Sequence, residues 1–134
     1  FQQIIRSYYD VYKGKNADTK DFQAIAEKIS GENLDSFFRQ WLYASGIPKV
    51  LIMWKYPVDE KKLVVTVEQM QNTDPFHFPL DISIVLEPDK SRIEKLTISK
   101  KKETFTFDVK NHPIEIIADP YISLLFEGSV YELK

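Results

Sequence analysis

The chain has two histidines, His77 and His112, the residue type most often used for acid–base and metal chemistry near neutral pH. They fall in separate predicted loops, and each lies next to a phenylalanine or a proline. Neither has a second ligand at metal-binding spacing, and no His-Glu-x-x-His motif is present. We therefore predict structural or solvent-exposed roles for both histidines and assign no metal ligand.

Nucleophilic and phosphate-binding chemistry also lacks a sequence signature. Serines such as Ser36, Ser45 and Ser83 stand outside any Gly-x-Ser-x-Gly motif. The four glycines are scattered and form no phosphate loop, and the absence of cysteine excludes thiolate metal sites and disulfides. We predict no catalytic and no cofactor-binding residue.

Four tyrosines, Tyr8, Tyr9, Tyr12 and Tyr43, suggest either an aromatic recognition surface or ordinary packing. Three of them lie on helical apolar stripes, and such stripes are mostly buried faces, so packing in a core or an interface is the favoured interpretation.

Other residues have similar alternatives. Trp41 and Trp54 are predicted to fill the seam between the helical and β parts of the chain, with an exposed sugar-stacking pair as the minor alternative. The basic run Lys100–Lys102 is predicted to be a solvated hairpin turn. Gln69 and Gln71 are interpreted as polar residues of an edge strand.

The bulk composition is that of an ordinary packed domain. The length of 134 residues suits one domain or two small units, and 43% hydrophobic residues suffice for a core. A net charge of −2 gives no basic excess for nucleic acid, and no apolar run is long enough to span a membrane. The chain has no initiator methionine and begins within a helical pattern, so we expect the natural N-terminus to lie upstream of Phe1.

The first part of the chain is predicted to be three helices. The first has an apolar stripe at helical spacing, made of Phe1, Ile4, Ile5, Tyr8, Tyr9 and Tyr12. Asp18 or Thr19 is predicted to cap the second helix, which ends at Gly31. Asn33 is predicted to cap the third, whose stripe is Leu34, Phe37, Phe38, Trp41 and Leu42. Gly46 would be its C-terminal cap, with Pro48 just beyond.

After Pro48 the hydrophobic period changes from helical to alternating. The stretch 49–56 and the stretch 63–71 read as an antiparallel hairpin. Further strands are expected over 79–87, 93–98, 103–109 and 114–118, with a last short one at 124–126. The strands are short and separated by turns, as in a β-sandwich.

The sequence thus predicts an α+β protein with two parts. Residues 1–48 would form a three-helix segment packed on an immunoglobulin-like antiparallel β-sandwich of six or seven strands over residues 49–134. Because the junction Gly46–Pro48 is short and stiff, we expect rigid packing between the parts.

Two sets of residues resemble the gluzincin zinc aminopeptidases of the membrane-alanyl-aminopeptidase type. The first set runs through the helical part: Tyr8-Tyr9, Lys13, Asn16 to Thr19, Asp21-Phe22, Ser30-Gly31, Leu34, Phe37-Phe38, Gln40 to Leu42, Gly46 and Pro48. The second continues into the β part: Trp54, Tyr56, Val67 to Gln71, Phe78 to Leu80, Asp119-Pro120 and Leu124-Leu125. The similarity covers nearly the whole chain in the right order, and Phe-Phe-x-Gln-Trp-Leu-x-x-x-Gly-x-Pro is its most specific segment.

The resemblance implies the end of a thermolysin-like catalytic domain followed by a β-sandwich domain. In such enzymes zinc is held by a His-Glu-x-x-His helix and a downstream glutamate, and zinc-assisted hydrolysis removes N-terminal residues from peptides. None of these motifs is in this chain, so zinc would belong to the full-length parent. The expected partner is the upstream catalytic domain of the same polypeptide. Peptide substrate would be bound only by the full-length parent.

Two alternatives remain open at this point. The chain could be a stand-alone immunoglobulin-like module that binds a protein or a carbohydrate, which exposed Trp41 and Trp54 would favour. The parent could also be a scaffold whose zinc motifs have degraded.

Overall fold

The computed structural model describes all of residues 1–134, which form two compact units, Phe1–Ser45 and Gly46–Lys134. The first unit is helical and the second is made of β-strands. Its helices are α1 (Gln2–Tyr12), α2 (Thr19–Ser30) and α3 (Asp35–Phe38), and α3 continues into a π-helical turn, Arg39–Tyr43.

The predicted ends of the second helix are confirmed. Asp18 is the N-cap of α2, and its carboxylate accepts the backbone N–H groups of Lys20 and Asp21 at 2.8 and 3.0 Å. Gly31 is the C-cap with φ of 73°, the left-handed conformation that a glycine adopts without steric cost.

The prediction for the third helix is wrong at both ends. The N-cap is Leu34, while the Asn33 side chain accepts the N–H of Asp35 at 3.0 Å, just outside the helix. The last turn widens to π geometry, with the Ala44 N–H bonded to the Arg39 carbonyl at 2.8 Å. The helix ends before Ala44, so Gly46, with φ of 85°, lies in the bend that follows and is not its cap.

The second unit contains seven strands in two sheets. The strands are β1 (Lys49–Lys55), β2 (Lys62–Gln69), β3 (Phe78–Glu87), β4 (Lys90–Ile98), β5 (Lys102–Asp108), β6 (Glu115–Ala118) and β7 (Glu127–Glu132). One sheet has the order β5-β2-β1-β7 and the other β4-β3-β6. The predicted hairpin is confirmed, since β1 and β2 pair antiparallel with Ile52 opposite Val67.

The alternation in the sequence places the core between the sheets, because side chains at every second strand position share one face. In β1 the alternating residues Val50, Ile52 and Trp54 are buried. Both sheets contribute side chains that are almost fully buried: Ile52, Leu63, Val65, Val67, Leu80, Ile82, Ile84, Leu96 and Ile98.

The last strand differs from the prediction in position and direction. It is β7, which begins at Glu127, after the apolar residues expected to form it. It pairs with β1 in parallel, whereas every other strand pair is antiparallel. A Cβ on Gly128 would lie 2.5 Å from the ring of Phe126, so a larger residue there would require that ring to move.

The predicted fold class is confirmed: the protein is α+β, with three helices and seven mostly antiparallel strands in a sandwich-like pair of sheets. No helix of the structure combines the length and the apolar character needed to cross a membrane.

Candidate functional site

The two histidines lie apart from any metal-binding constellation. His77 is exposed in the loop between β2 and β3. His112 contacts the rings of Trp54 and Tyr56 at 5.6 and 5.3 Å, and its Nε2 lies 2.9 Å from the Glu132 carboxylate. The chain contains no group of three or more histidine, aspartate or glutamate side chains that could hold a metal ion.

The tryptophans occupy different environments. Trp54 is 4% exposed within β1, and its ring contacts His112. Trp41 is half-buried in the π-helical turn. Because a stacking platform needs an accessible ring face, the buried Trp54 cannot contribute to the sugar-binding pair that was the minor alternative.

The tyrosines also separate. Tyr8 and Tyr12 are half-buried and contact each other at 5.2 Å, and Tyr8 also meets Phe22 edge-on at 5.2 Å. Tyr9 and Tyr43 are 58% and 61% exposed. The packing interpretation therefore describes the first pair within this chain and does not describe the second.

The C-terminal end of α1 is linked to the start of α2 by a hydrogen bond. The Tyr12 hydroxyl donates to Asp21 Oδ1 at 2.9 Å, while Asp21 Oδ2 accepts the Asp18 N–H at 2.9 Å. The hydrogen bonds from the Asp18 backbone and from Tyr12 lower the pKa of Asp21, and the bond to Asp21 raises the pKa of Tyr12. The Tyr12–Asp21 bond thus joins the last residue of α1 to the first turn of α2.

An open groove of about 680 Å³ lies within the helical unit, and we call it the aromatic groove. Each helix contributes side chains to its lining, which comprises Tyr8, Ala17, Asp18, Thr19, Phe22, Phe37, Phe38, Trp41 and Leu42. The Phe22 ring contacts the buried Phe38 ring at 6.2 Å, so the floor of the groove is packed aromatic surface. Phe37 and Leu42 remain 55% and 58% exposed.

The aromatic groove is suited to holding apolar side chains and has no arrangement for catalysis. Asp18 is the only lining residue with a carboxylate, and that carboxylate accepts two backbone N–H groups at the start of α2. The predicted stripes of the first and third helices indicated Tyr8, Phe38 and Trp41 as apolar positions. The π-helical turn that places Trp41 and Leu42 at the groove has no sequence signal that we recognise.

In the β unit, the interpretation of Gln69 as an edge-strand residue is wrong. Gln69 is completely buried in β2, a strand paired on both sides. Its Nε2 donates to the carbonyls of Phe76 and Lys100 at 2.9 and 3.1 Å. Its Oε1 accepts from the Phe76 N–H and from Gln71 Nε2, both at 2.8 Å. All four hydrogen-bonding positions of the amide are thus used.

This glutamine links two connections that cross between the sheets. The loop that contains Phe76 leads from β2 to β3, and the turn that contains Lys100 leads from β4 to β5. Gln71 extends the link, because its Oε1 accepts the Lys49 N–H at the start of β1 at 3.1 Å.

The predicted hairpin turn at the lysines is also corrected. The turn joins β4 to β5, which belong to different sheets, so it is a crossover and no hairpin. Lys101 Nζ donates to the Gln71 carbonyl, and Lys102 lies within β5, where it pairs with the Glu68 carboxylate at 2.8 Å.

Asp119 organises the loop between β6 and β7. It is 6% exposed, and its carboxylate accepts the Ser123 N–H, the Ser123 hydroxyl and the Leu124 N–H at 3.0, 2.8 and 2.9 Å. Burial alone would raise the pKa of Asp119, but these hydrogen bonds outweigh burial and hold the pKa below its usual value. In this loop Ile122 has φ of 52° and is 89% exposed.

No protein-family model and no curated protein matches this sequence. Among solved structures, the fold is similar to that of aminopeptidase A from Legionella pneumophila, solved in complex with aspartic acid. The TM-score is 0.76 over 98% of this chain, and the sequence identity is 18%. The chain spans 15% of the length of that aminopeptidase.

At this identity the similarity concerns the fold. No residue role is carried across by the comparison.

Proposed function

We propose that the chain is a non-catalytic structural portion of a zinc-dependent aminopeptidase. Residues 1–48 would be the end of its thermolysin-like catalytic domain, and residues 49–134 its β-sandwich domain. The observation that carries the proposal is the fold similarity, which extends over 98% of this chain and over 15% of a solved aminopeptidase.

The segment Phe-Phe-x-Gln-Trp-Leu-x-x-x-Gly-x-Pro, which resembles the zinc aminopeptidases, supports the same proposal. Its residues lie where the chain passes from the helical unit to the β unit. Phe38 is buried under the aromatic groove, and Trp41 lies in the π-helical turn that ends the helical unit. Gly46 has the positive φ of the bend, and the carbonyl of the buried Pro48 accepts the Glu127 N–H at 2.9 Å. The motif thus describes how a helical unit gives way to the first strand of a sandwich.

The chemistry of such an enzyme would come from other parts of its polypeptide. When bound, zinc would activate water for peptide hydrolysis, but the donor groups of this chain do not fit a zinc site, because its two histidines lack clustered partners. The role we propose for this chain is mechanical: its helices support the catalytic domain, and its sandwich holds neighbouring domains in register.

The complete coding sequence and the purified full-length protein test the proposal. We expect a His-Glu-x-x-His motif upstream of Phe1 and turnover of aminoacyl anilides that a zinc chelator abolishes and added zinc restores. The 134-residue chain should show no turnover at any zinc concentration.

Turnover by the 134-residue chain itself, after removal of contaminating peptidases, would contradict the proposal. A full-length protein without the zinc motif and without aminopeptidase activity would contradict it as well, and would favour a scaffold or a binding module.

A further inference from the structure

The helical unit leaves most of its large apolar side chains partly or mostly exposed. It buries only two hydrophobic residues, Ala26 and Phe38, and α1 has no buried residue. Large side chains are left exposed across the unit: Phe1 (87%), Ile5 (42%), Tyr9 (58%), Phe37 (55%), Leu42 (58%) and Tyr43 (61%). By contrast, the β unit has a complete core whose side chains are almost entirely inaccessible.

This inference rests on the proposed function. We infer that the aromatic groove binds an amphipathic helix from the absent part of the same enzyme, and that this helix has aliphatic residues along one face. A chain that accounts for 15% of a similar enzyme leaves ample polypeptide to supply that helix. The groove is formed by helices, and an amphipathic helix is the usual element that inserts an apolar stripe between helices.

The lining of the groove is mostly apolar and so favours an apolar occupant. Six of its nine residues carry aromatic or aliphatic side chains of large size: Tyr8, Phe22, Phe37, Phe38, Trp41 and Leu42. The one carboxylate, that of Asp18, accepts the backbone N–H groups of Lys20 and Asp21 through Oδ1 as the N-cap of α2. No cationic side chain lines the groove, so an anionic ligand would have no counter-charge.

The π-helical turn supports this inference. It shifts the side chains that follow Phe38 relative to a regular helix, and it leaves Leu42 at the rim, more than half exposed. A π-helical turn has poorer backbone hydrogen-bond geometry than an α-helical one, and such turns are frequent at functional sites. A π-helical turn that exposes Leu42 at the rim of the groove is consistent with a contact between Leu42 and another helix.

A fluorescein-labelled peptide provides the test. The peptide consists of leucine and lysine, is about 18 residues long, roughly five helical turns, and carries leucines at helical spacing. Its control has the same composition with alternating leucines. We expect the 134-residue chain to raise the anisotropy of the helical peptide saturably and to leave the control peptide unbound.

Matched variants assign the binding to the groove. Leu42→Lys should weaken binding by at least about tenfold, because it replaces an apolar contact of the bound helix with a charged side chain. Leu125→Lys changes the same residue type at a similar exposure, 66% against 58%, but outside the groove, and should leave binding unchanged. Phe37→Lys is a second groove variant for the case that Leu42→Lys lowers the helical circular dichroism signal.

The full-length enzyme distinguishes an intramolecular helix from an external partner. If the groove is occupied within the enzyme, the labelled peptide should not bind to it. Binding to the full-length enzyme as tight as to the 134-residue chain would overturn the inference, as would equal weakening by Leu42→Lys and Leu125→Lys or equal binding of the two peptides. These results are independent of the zinc motif and of turnover, which test the proposed function.

Discussion

Replacing the buried Gln69 with leucine should strongly destabilise the β unit. The two side chains have similar size, so the change removes hydrogen bonds with little change in packed volume. It deprives the Phe76 N–H, the Phe76 carbonyl and Gln71 Nε2 of partners at 2.8–2.9 Å in buried surroundings. The fourth bond, to the Lys100 carbonyl at 3.1 Å, is part-buried, and water can replace it more easily.

The size of the effect follows from these partners. A buried polar group that loses its hydrogen bond costs about 1–3 kcal/mol, so three such groups give roughly 3–9 kcal/mol. The leucine itself recovers about 2 kcal/mol of apolar burial, and local rearrangement recovers more. The difference is roughly 1–7 kcal/mol before rearrangement, so we expect a loss of about 1–5 kcal/mol, an appreciable fraction of the 5–15 kcal/mol typical of a domain.

Urea unfolding followed by tryptophan fluorescence measures the loss. A Trp41→Phe background leaves Trp54, buried at 4% exposure in β1, as the only reporter and so restricts the signal to the β unit. Met70→Leu is the control, because Met70 adjoins the same strand end and is 54% exposed, and it should change stability by less than about 0.5 kcal/mol.

Hydrogen exchange gives a local measurement of the same link. In Gln69→Leu the Phe76 amide should exchange faster than strand amides of β1 and β3, because the crossover loop loses its attachment to β2. The reasoning would be refuted if Gln69→Leu and the unsubstituted chain had the same unfolding midpoint within error and the Phe76 amide stayed protected.

Three further predictions concern the loop at Asp119 and the start of α2. Asp119→Ala should cost about 2–3 kcal/mol, since three hydrogen bonds to a buried carboxylate are lost. Because the pKa of Asp119 is lowered on folding, its contribution is complete above about pH 4 and disappears as the pH falls through the folded pKa, so urea midpoints of the parent and Asp119→Ala should converge in acid. Ile122→Asn should raise the melting temperature by the equivalent of about 1 kcal/mol, because asparagine tolerates a φ of 52° better than a β-branched residue, and calorimetry should show no such gain for the exposed Tyr121→Asn. Asp18→Ala should cost the helical unit about 1 kcal/mol in a thermal melt followed by circular dichroism, while Asp10→Ala, within α1, should have little effect.

Local chemistry is what the sequence predicts well. The α2 boundaries follow from Asp18 and Gly31, because a cap needs only a side chain and the few backbone groups next to it. The core positions of β1 follow from alternation, since the strand period alone sorts its residues between two faces. The aromatic residues of the groove are likewise visible as helical stripes, although the stripe does not show which of them stay exposed.

What the sequence could not provide depends on strand neighbours and on contacts distant along the chain. A glutamine in β2 has the same local sequence whether its strand is at the edge or in the middle, and only the order β5-β2-β1-β7 makes Gln69 a buried link. The same order makes β7 a parallel partner of β1, although no local pattern records direction. Side-chain type and spacing therefore determined most of the elements and the ends of α2, whereas the last strand was decided by tertiary structure. Tertiary structure also decided which polar groups are removed from water and must find partners within the protein.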